Sequence, residues 1–230
     1  MNIQILMLSV ALSVSMSAKA ANYYLDPAGS DTNPGTQAQP WQTIAKANNT
    51  LVAGDTVFLR AGTYTDQIRP VNNGTSDSAR ISYVAFGNGN VIIDNFGDQS
   101  SGSNYTVGGI ALGGKSYVTV NGVNQYIRLN KSGCYNALAN FTGANRTVIN
   151  SVYLDGSNNT CGNMVFTAGY LYGTNIGSTQ YNVLSNSYIR GISATANPRT
   201  REPKTILASQ VMPITIYSMG IQSSLPRMLI

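Results

Sequence analysis

Apolar residues recur along this chain in short alternating runs rather than in long helical stripes. Thr56-Val57-Phe58-Leu59, Ile81 to Phe86 and Val91 to Ile93 place apolar residues two apart, the period of a strand with one face buried. One stretch differs. Trp41, Ile44, Ala45 and Leu51 fall on one helical face, so the spacing predicts a short amphipathic helix over 41–51. Residues 22–40 before it read as a short strand and a turn-rich loop. Val52-Ala53-Gly54-Asp55 ends the helix, and Ala61-Gly62-Thr63-Tyr64 turns the chain out of the next strand.

A repeat then emerges. Val91-Ile92-Ile93-Asp94-Asn95-Phe96 is matched by Val118-Thr119-Val120-Asn121-Gly122-Val123. Thr147-Val148-Ile149-Asn150-Ser151-Val152 and Val183-Leu184-Ser185-Asn186-Ser187-Tyr188 follow, at intervals of 27, 29 and 36 residues. Positions 1, 3 and 6 are mostly apolar or aromatic, and position 4 is Asp or Asn; Thr147 and Ser185 are the weakest matches. A strand of three or four residues is not stable alone. Stacked on its own copies about 4.8 Å apart, it forms a parallel sheet over a continuous core. Asp94, Asn121, Asn150 and Asn186 are then expected to stack as a ladder at the bend, where Asn tolerates left-handed backbone and its amide bonds to the next Asn. The fold class is all-β, a right-handed parallel β-helix. A leucine-rich repeat shares such periods but needs leucines that are absent, and a β-sandwich remains the alternative.

Both ends of the chain depart from the repeat. Ile3 to Met16 is mostly apolar and runs into Ala18-Lys19-Ala20 and then Ala21. Small residues at −3 and −1 fit a secretory cleavage site after Ala20, although no Lys or Arg precedes the apolar run. Residues 1–20 are therefore read as a signal peptide, and the protein as secreted, periplasmic or cell-surface. That run is too short and Ser-rich to span a membrane, and no other segment reads as a span. Residues 21–194 read as the β-helix. After Gly191 the pattern fails, so 195–230 reads as a non-repeat tail, frame-shifted or disordered. It is expected to leave the last rung uncovered, as the end of a truncated reading of a longer β-helix protein.

Composition narrows the chemistry. Of the 230 residues, 43% are hydrophobic and 10% charged, which excludes a polyelectrolyte or a charged helical protein. With His 0, Ser-His-Asp and Cys-His catalysis and His-ligated metals are excluded. The formal net charge of +5 sits largely in the leader and tail; the body from 21 to 196 holds 9 Lys and Arg against 8 Asp. That near-neutral body does not favour nucleic acid as a partner.

One segment carries a resemblance. Tyr23-Tyr24-Leu25-Asp26-Pro27-Ala28-Gly29-Ser30-Asp31-Thr32-Asn33-Pro34-Gly35-Thr36 continues as Pro40-Trp41-Gln42-Thr43-Ile44-Ala45-Lys46-Ala47, then Ala53-Gly54-Asp55-Thr56-Val57-Phe58-Leu59-Arg60-Ala61-Gly62-Thr63-Tyr64. It resembles the N-terminal cap helix and first coils of the pectate-lyase-like β-helix superfamily, including lyases of the chondroitinase-B and alginate-lyase type. The resemblance covers roughly 22–194 and implies a β-helix with a short N-terminal cap helix. It also implies an acidic polysaccharide as partner, bound and in some members cleaved by β-elimination, with calcium in some members. Other members are non-catalytic surface or adhesin-like proteins, the alternative function.

The catalytic apparatus of such lyases is not evident. Abstracting the proton beside a uronate carboxylate needs a base and a positive neutraliser. Arg128 and Lys131 are the candidate catalytic pair, and solvated loop charge is their plainer reading. Glu202 is the sole Glu, and the Asp are scattered, so no metal site and no cofactor are evident; calcium is left to a full-length relative. Tyr126 and Tyr153 are the candidate sugar platforms. Cys134 and Cys161 occupy nearly equivalent places on neighbouring coils, which in an exported protein favours a disulfide.

Overall fold

The structure is a computed structural model. It describes residues 19–94, 109–123, 127–130, 133–134, 139–141, 143–155, 159–161, 165–166, 170–171, 174–175, 181–190 and 213–218. In chain order the elements are β1 (Asn22–Leu25), α1 (Ile44–Thr50), β2 (Thr56–Tyr64), β3 (Ile81–Asp94), β4 (Ile110–Ala111) and β5 (Val118–Asn121). They continue as β6 (Ile127–Asn130), β7 (Gly133–Cys134), β8 (Ala139–Asn140), β9 (Val148–Asn150), β10 (Val152–Asp155) and β11 (Asn159–Cys161). The last are β12 (Val165–Phe166), β13 (Tyr170–Leu171), β14 (Thr174–Asn175), β15 (Asn182–Arg190) and β16 (Pro213–Ser218).

Parallel pairing between successive coils builds the right-handed β-helix that the repeat predicts. A first line of strands runs β1, the start of β2, the start of β3, β5, β9 and the start of β15. A second line runs the end of β2, the end of β3, β6, β10 and the end of β15. Shorter lines join β4, β8 and β12, and β7 and β11. Alternate residues of the two main lines point inward and are buried: Val57, Ile81, Val118 and Ile149 from the first, Val91, Ile127 and Val152 from the second. The short third line adds Ile110 and Ala139. This is a continuous core that no single coil could form.

The repeat register differs from the predicted one in two places. Val91 belongs to the second line, paired with Ile127, whereas Ile81 is the residue that pairs with Val118. Both lines carry the same apolar alternation, so a period-2 template cannot tell them apart. The last copy is shifted by one, with Ser185 rather than Asn186 opposite Asn150. Three of the four expected ladder residues are nonetheless joined. Asn150 donates to Asn121 Oδ1 at 3.0 Å, and Asn186 donates to Asn150 Oδ1 at 2.8 Å. Asn186 reaches back because it sits in the left-handed corner, φ 47, just past the strand line. Asp94 is not in this row; it lies on the second line, in register with Asn130.

The polar matches have a reason too. Thr147 is fully buried where its neighbours are apolar, and both its N–H and its hydroxyl donate to Asn182 Oδ1, at 3.0 and 2.6 Å. Asn182 in turn donates to the Ala144 carbonyl at 2.8 Å. The final described coil thus replaces part of the apolar stack by a satisfied polar one.

α1 closes the other end. It starts at Ile44, later than the periodicity suggested, because Thr43 caps it by accepting from the Lys46 N–H at 3.0 Å. Its buried residues are Ile44, Ala47 and Asn48, so Asn48 takes the place expected of Ala45, which is exposed. Asn48 Oδ1 accepts from the Tyr83 hydroxyl at 2.8 Å and the Arg69 N–H at 3.0 Å, fastening the helix to the coils. Trp41 lies before the helix in a parallel bridge with Leu25. Its indole stacks on Tyr23 at 4.3 Å and donates to the Asn33 carbonyl at 2.9 Å. Gly35, at φ +81, lies against that ring; a Cβ there would sit 2.5 Å from it.

Asp31 braces the cap. Its carboxylate accepts from the Gln42 and Thr43 amides, both at 2.9 Å, and from the Thr43 hydroxyl at 2.6 Å. Burial alone would push its carboxyl up; these hydrogen bonds and the Lys46 charge outweigh that and hold it below its ordinary value. A depressed folded pKa stabilises above the unfolded value, and the gain disappears as pH falls through the folded one. Asp31→Asn should therefore lower the melting temperature at pH 7, with the gap to wild type closing as the pH drops below about 4. A gap that persists unchanged at pH 2 would contradict this account.

The far end is covered after all. β16 pairs antiparallel with β15, Leu184 opposite Ile216 and Val183 opposite Tyr217. The sequence reading expected an open edge because Pro213–Ser218 lacks the Asn and Gly of the coils; Ile-Thr-Ile-Tyr is nevertheless strand-forming. Residues 1–18, 191–212 and 219–230, which hold the rest of the expected leader and tail, lie outside the described residues.

Candidate functional site

The outer face of the second line carries one column of side chains. By register it runs Ile92, Arg128, Tyr153, Tyr188. All point outward because they alternate with the buried Ile93, Leu129 and Leu154. The Arg128 guanidinium lies over the Tyr153 ring at 5.1 Å and donates through Nε to Asn90 Oδ1 at 3.2 Å. Tyr153 and Tyr188 are tilted neighbours at 6.3 Å. Two sequence candidates, Arg128 and Tyr153, are therefore in direct cation–π contact. Lys131 and Tyr126 lie outside the described residues.

A second column stands at the corner that leads into the first line. Ile81 and Val118 start β3 and β5, Thr147 stands just before β9 in the same register, and the residues preceding them are Arg80, Tyr117 and Arg146; Tyr181 precedes Asn182, the first residue of β15, in the same way. These four alternate cation and ring. Arg80 lies 6.0 Å from the Tyr117 centroid, and Arg146 lies 5.9 Å from Tyr117 and 5.0 Å from Tyr181. Arg80 is anchored: it pairs with Asp77 at 2.7 Å, donates to Thr119 Oγ1 at 2.7 Å and reaches the Val118 and Arg146 carbonyls. Arg146 is exposed, with Asp77 at 4.0 Å, and Tyr181 is 53% exposed. Tyr117, Arg146 and Tyr181 all hold left-handed backbone, φ 52, 53 and 53. A bulky side chain there costs roughly 1 kcal/mol or more, a cost that Val123 also bears where a coil turns.

Nothing in the repeat template marks this column. Its members share no residue type and stand one position before the template. The signal that could have found it is Arg or Tyr immediately ahead of each strand start.

Lys115, just upstream, donates to the Val71 carbonyl at 2.9 Å. Burial, and then the Arg69 charge, hold its amine below the ordinary lysine value. Asp94 and Asp155 share the second line, with Asn130 between them in register. Among the described residues no group of three or more His, Cys, Asp and Glu converges. Cys134 and Cys161 are register partners on parallel β7 and β11. Neighbouring parallel strands lie about 4.8 Å apart, within the Cα spacing a disulfide needs.

The family model of the Pel9A-like right-handed beta helix region matches residues 23–196. The chain belongs to this family. Curated relatives match over shorter stretches. An uncharacterized protein of Bacillus subtilis (strain 168), YwoF, is 33% identical over 100 residues, 44% of this chain and 21% of that protein. Pectate lyase PEL9 of Emericella nidulans is 42% identical over 77 residues, 33% of this chain and 18% of the lyase. The stretches in common are thus about a fifth of the length of these relatives. Among solved structures, a rhamnogalacturonan lyase aligns with a TM-score of 0.45 and 20% identity, covering 74% of this chain and 51% of that one. Among the described residues no helix is long and apolar enough to cross a membrane.

Proposed function

We propose that this chain is an exported β-helix protein that holds an acidic polysaccharide along its stack axis. The observation that carries this reading is Arg146, exposed between the rings of Tyr117 and Tyr181 in a column that climbs the coils. Tyr faces stack on the apolar side of a pyranose, and a guanidinium forks onto a carboxylate. Rungs about 4.8 Å apart set such groups at intervals comparable to one sugar unit. Arg128 over Tyr153 repeats the pairing on the second line. The similarity to a pectate lyase agrees with a uronate polymer as ligand. Residues 1–20 are the export leader in this reading.

Affinity electrophoresis in gels containing polygalacturonate, alginate or neutral dextran tests it. Retardation is expected in the two uronate gels and not in dextran, and it should weaken as salt rises. Arg146→Ala should reduce uronate affinity about tenfold, the loss of one charge-assisted contact. Arg128→Ala should reduce it less, because that guanidinium is tied to Asn90. Equal retardation by dextran, or no effect of Arg146→Ala, would sink the proposal. Absorbance of unsaturated products on the same polymers separates binding from elimination. No turnover is expected of this chain by itself; a rate lost in Arg128→Ala or Lys131→Ala would install that pair as catalytic.

A further inference from the structure

Asp55 is a buried carboxylate with no counter-charge among the described residues. It is 3% exposed. Its Oδ2 accepts the Val52 N–H at 3.0 Å, and its Oδ1 accepts the N–H of Ala21 at 2.9 Å. The ion pairs among the described residues join Arg60 to Asp26, and Arg80 and Arg146 to Asp77; none reaches Asp55. Two neutral amides are modest compensation for a buried charge. Ala21 is itself held in place: its carbonyl accepts from the Thr56 N–H at 2.9 Å, in line with the pairing of β1 on β2. Ala20 rests beside Gly54, where an added Cβ would lie 3.4 Å from the Ala20 methyl.

The nitrogen touching Asp55 is the one that the leader reading places at the start of the processed chain. We propose that cleavage between Ala20 and Ala21 supplies the missing counter-charge, and that the Ala21 α-ammonium then forms a buried ion pair with Asp55. The step is a hydrolysis by a leader peptidase. Water adds across the Ala20–Ala21 peptide bond, Ala20 leaves as a carboxylate, and Ala21 keeps its nitrogen as an amine that takes up a proton from solvent. One amide donor becomes a charged group with three, so the contact at 2.9 Å becomes charge-assisted. Leader removal thereby completes the fold at the first coil, and the unprocessed chain is the less stable form. This inference rests on the export leader and not on the proposed ligand.

The experiment compares the chain exported under its own leader with a form that begins Met-Lys19-Ala20. Intact mass should place the exported start at Ala21. The exported form should melt higher than the extended one. Asp55→Asn should lower its melting temperature by roughly 6 °C or more, and that of the extended form by less than half as much. Acetic anhydride at neutral pH gives a readout that needs no variant: the Ala21 amine should acylate at least about tenfold more slowly in native than in urea-unfolded protein. A start other than Ala21 overturns the processing step. A start at Ala21 with a freely reactive amine, or with equal melting shifts for Asp55→Asn in the two forms, overturns the ion pair.

Discussion

Trp41→Ala will lower the melting temperature by roughly 6 to 20 °C, the largest change expected from a single truncation in this chain. Trp41 is almost wholly buried between the Tyr23 ring, the Gly35 backbone and the core. Truncating a buried Trp costs about 3–5 kcal/mol, because the lost contacts add to a cavity that closes only in part. The Asn33 carbonyl also loses its donor. The residue touches three parts at once, the loop from Pro27 to Gly35, β1 through its bridge to Leu25, and the approach to α1, alongside the bonds that Gly35 makes to Tyr24 and Asp31 makes to Thr43. Amide exchange should therefore quicken in β1 and α1 before it does in β9 or β10. Far-UV circular dichroism must follow the transition, since Trp41 is the one Trp of the chain. A shift under about 2 °C with unchanged exchange in β1 would show that the cap does not depend on this ring.

Asn150→Leu is the second large effect. The Asn150 amide donates to Asn121 Oδ1 at 3.0 Å and to Ser151 Oγ at 3.2 Å, and its oxygen accepts from Ser185 at 3.0 Å and Asn186 at 2.8 Å. Leucine removes all four and leaves the partners of two neighbouring coils short. At about 0.5–1.5 kcal/mol each, with overlap among them, the loss should total about 2–4 kcal/mol. Asn145→Leu is the control. The Asn145 side-chain oxygen is buried and has no hydrogen-bond partner among the described residues, so replacing it should cost under about 1 kcal/mol. Equal melting shifts for the two variants would contradict the ladder.

The comparison of these two asparagines shows how far the sequence could be read. Residue type and spacing found Asn121, Asn150 and Asn186 because their amides bond from coil to coil, although the left-handed backbone expected of all three occurs only at Asn186; Asn121 and Asn150 end β5 and β9, and Val123 and Ser151 take the left-handed turn after them. The same template misplaced Asp94, since both strand lines alternate alike and only pairing across coils separates them. The cap helix was legible from the spacing of Ile44 and Leu51, but its start was placed at Trp41, which the structure sets before the helix against Tyr23, while Thr43 caps it. The Arg80–Tyr117–Arg146–Tyr181 column was not: its members lie far apart in sequence, differ in type and meet only through the stack. Cys134 and Cys161 were placed by equivalence within coils of similar length, and the backbone register sets them opposite each other. β16 escaped notice because it covers the last coil in the antiparallel sense, outside the repeat altogether.

The stacking of each coil mainly on its immediate neighbours has a mechanical corollary. Tension applied between the two ends meets no single interface that must break all at once. β16 will peel from β15 first, as a zipper, because an antiparallel end strand loads its hydrogen bonds one at a time. The coils should then pay out in succession toward α1, giving a force–extension trace of small steps rather than one tall peak.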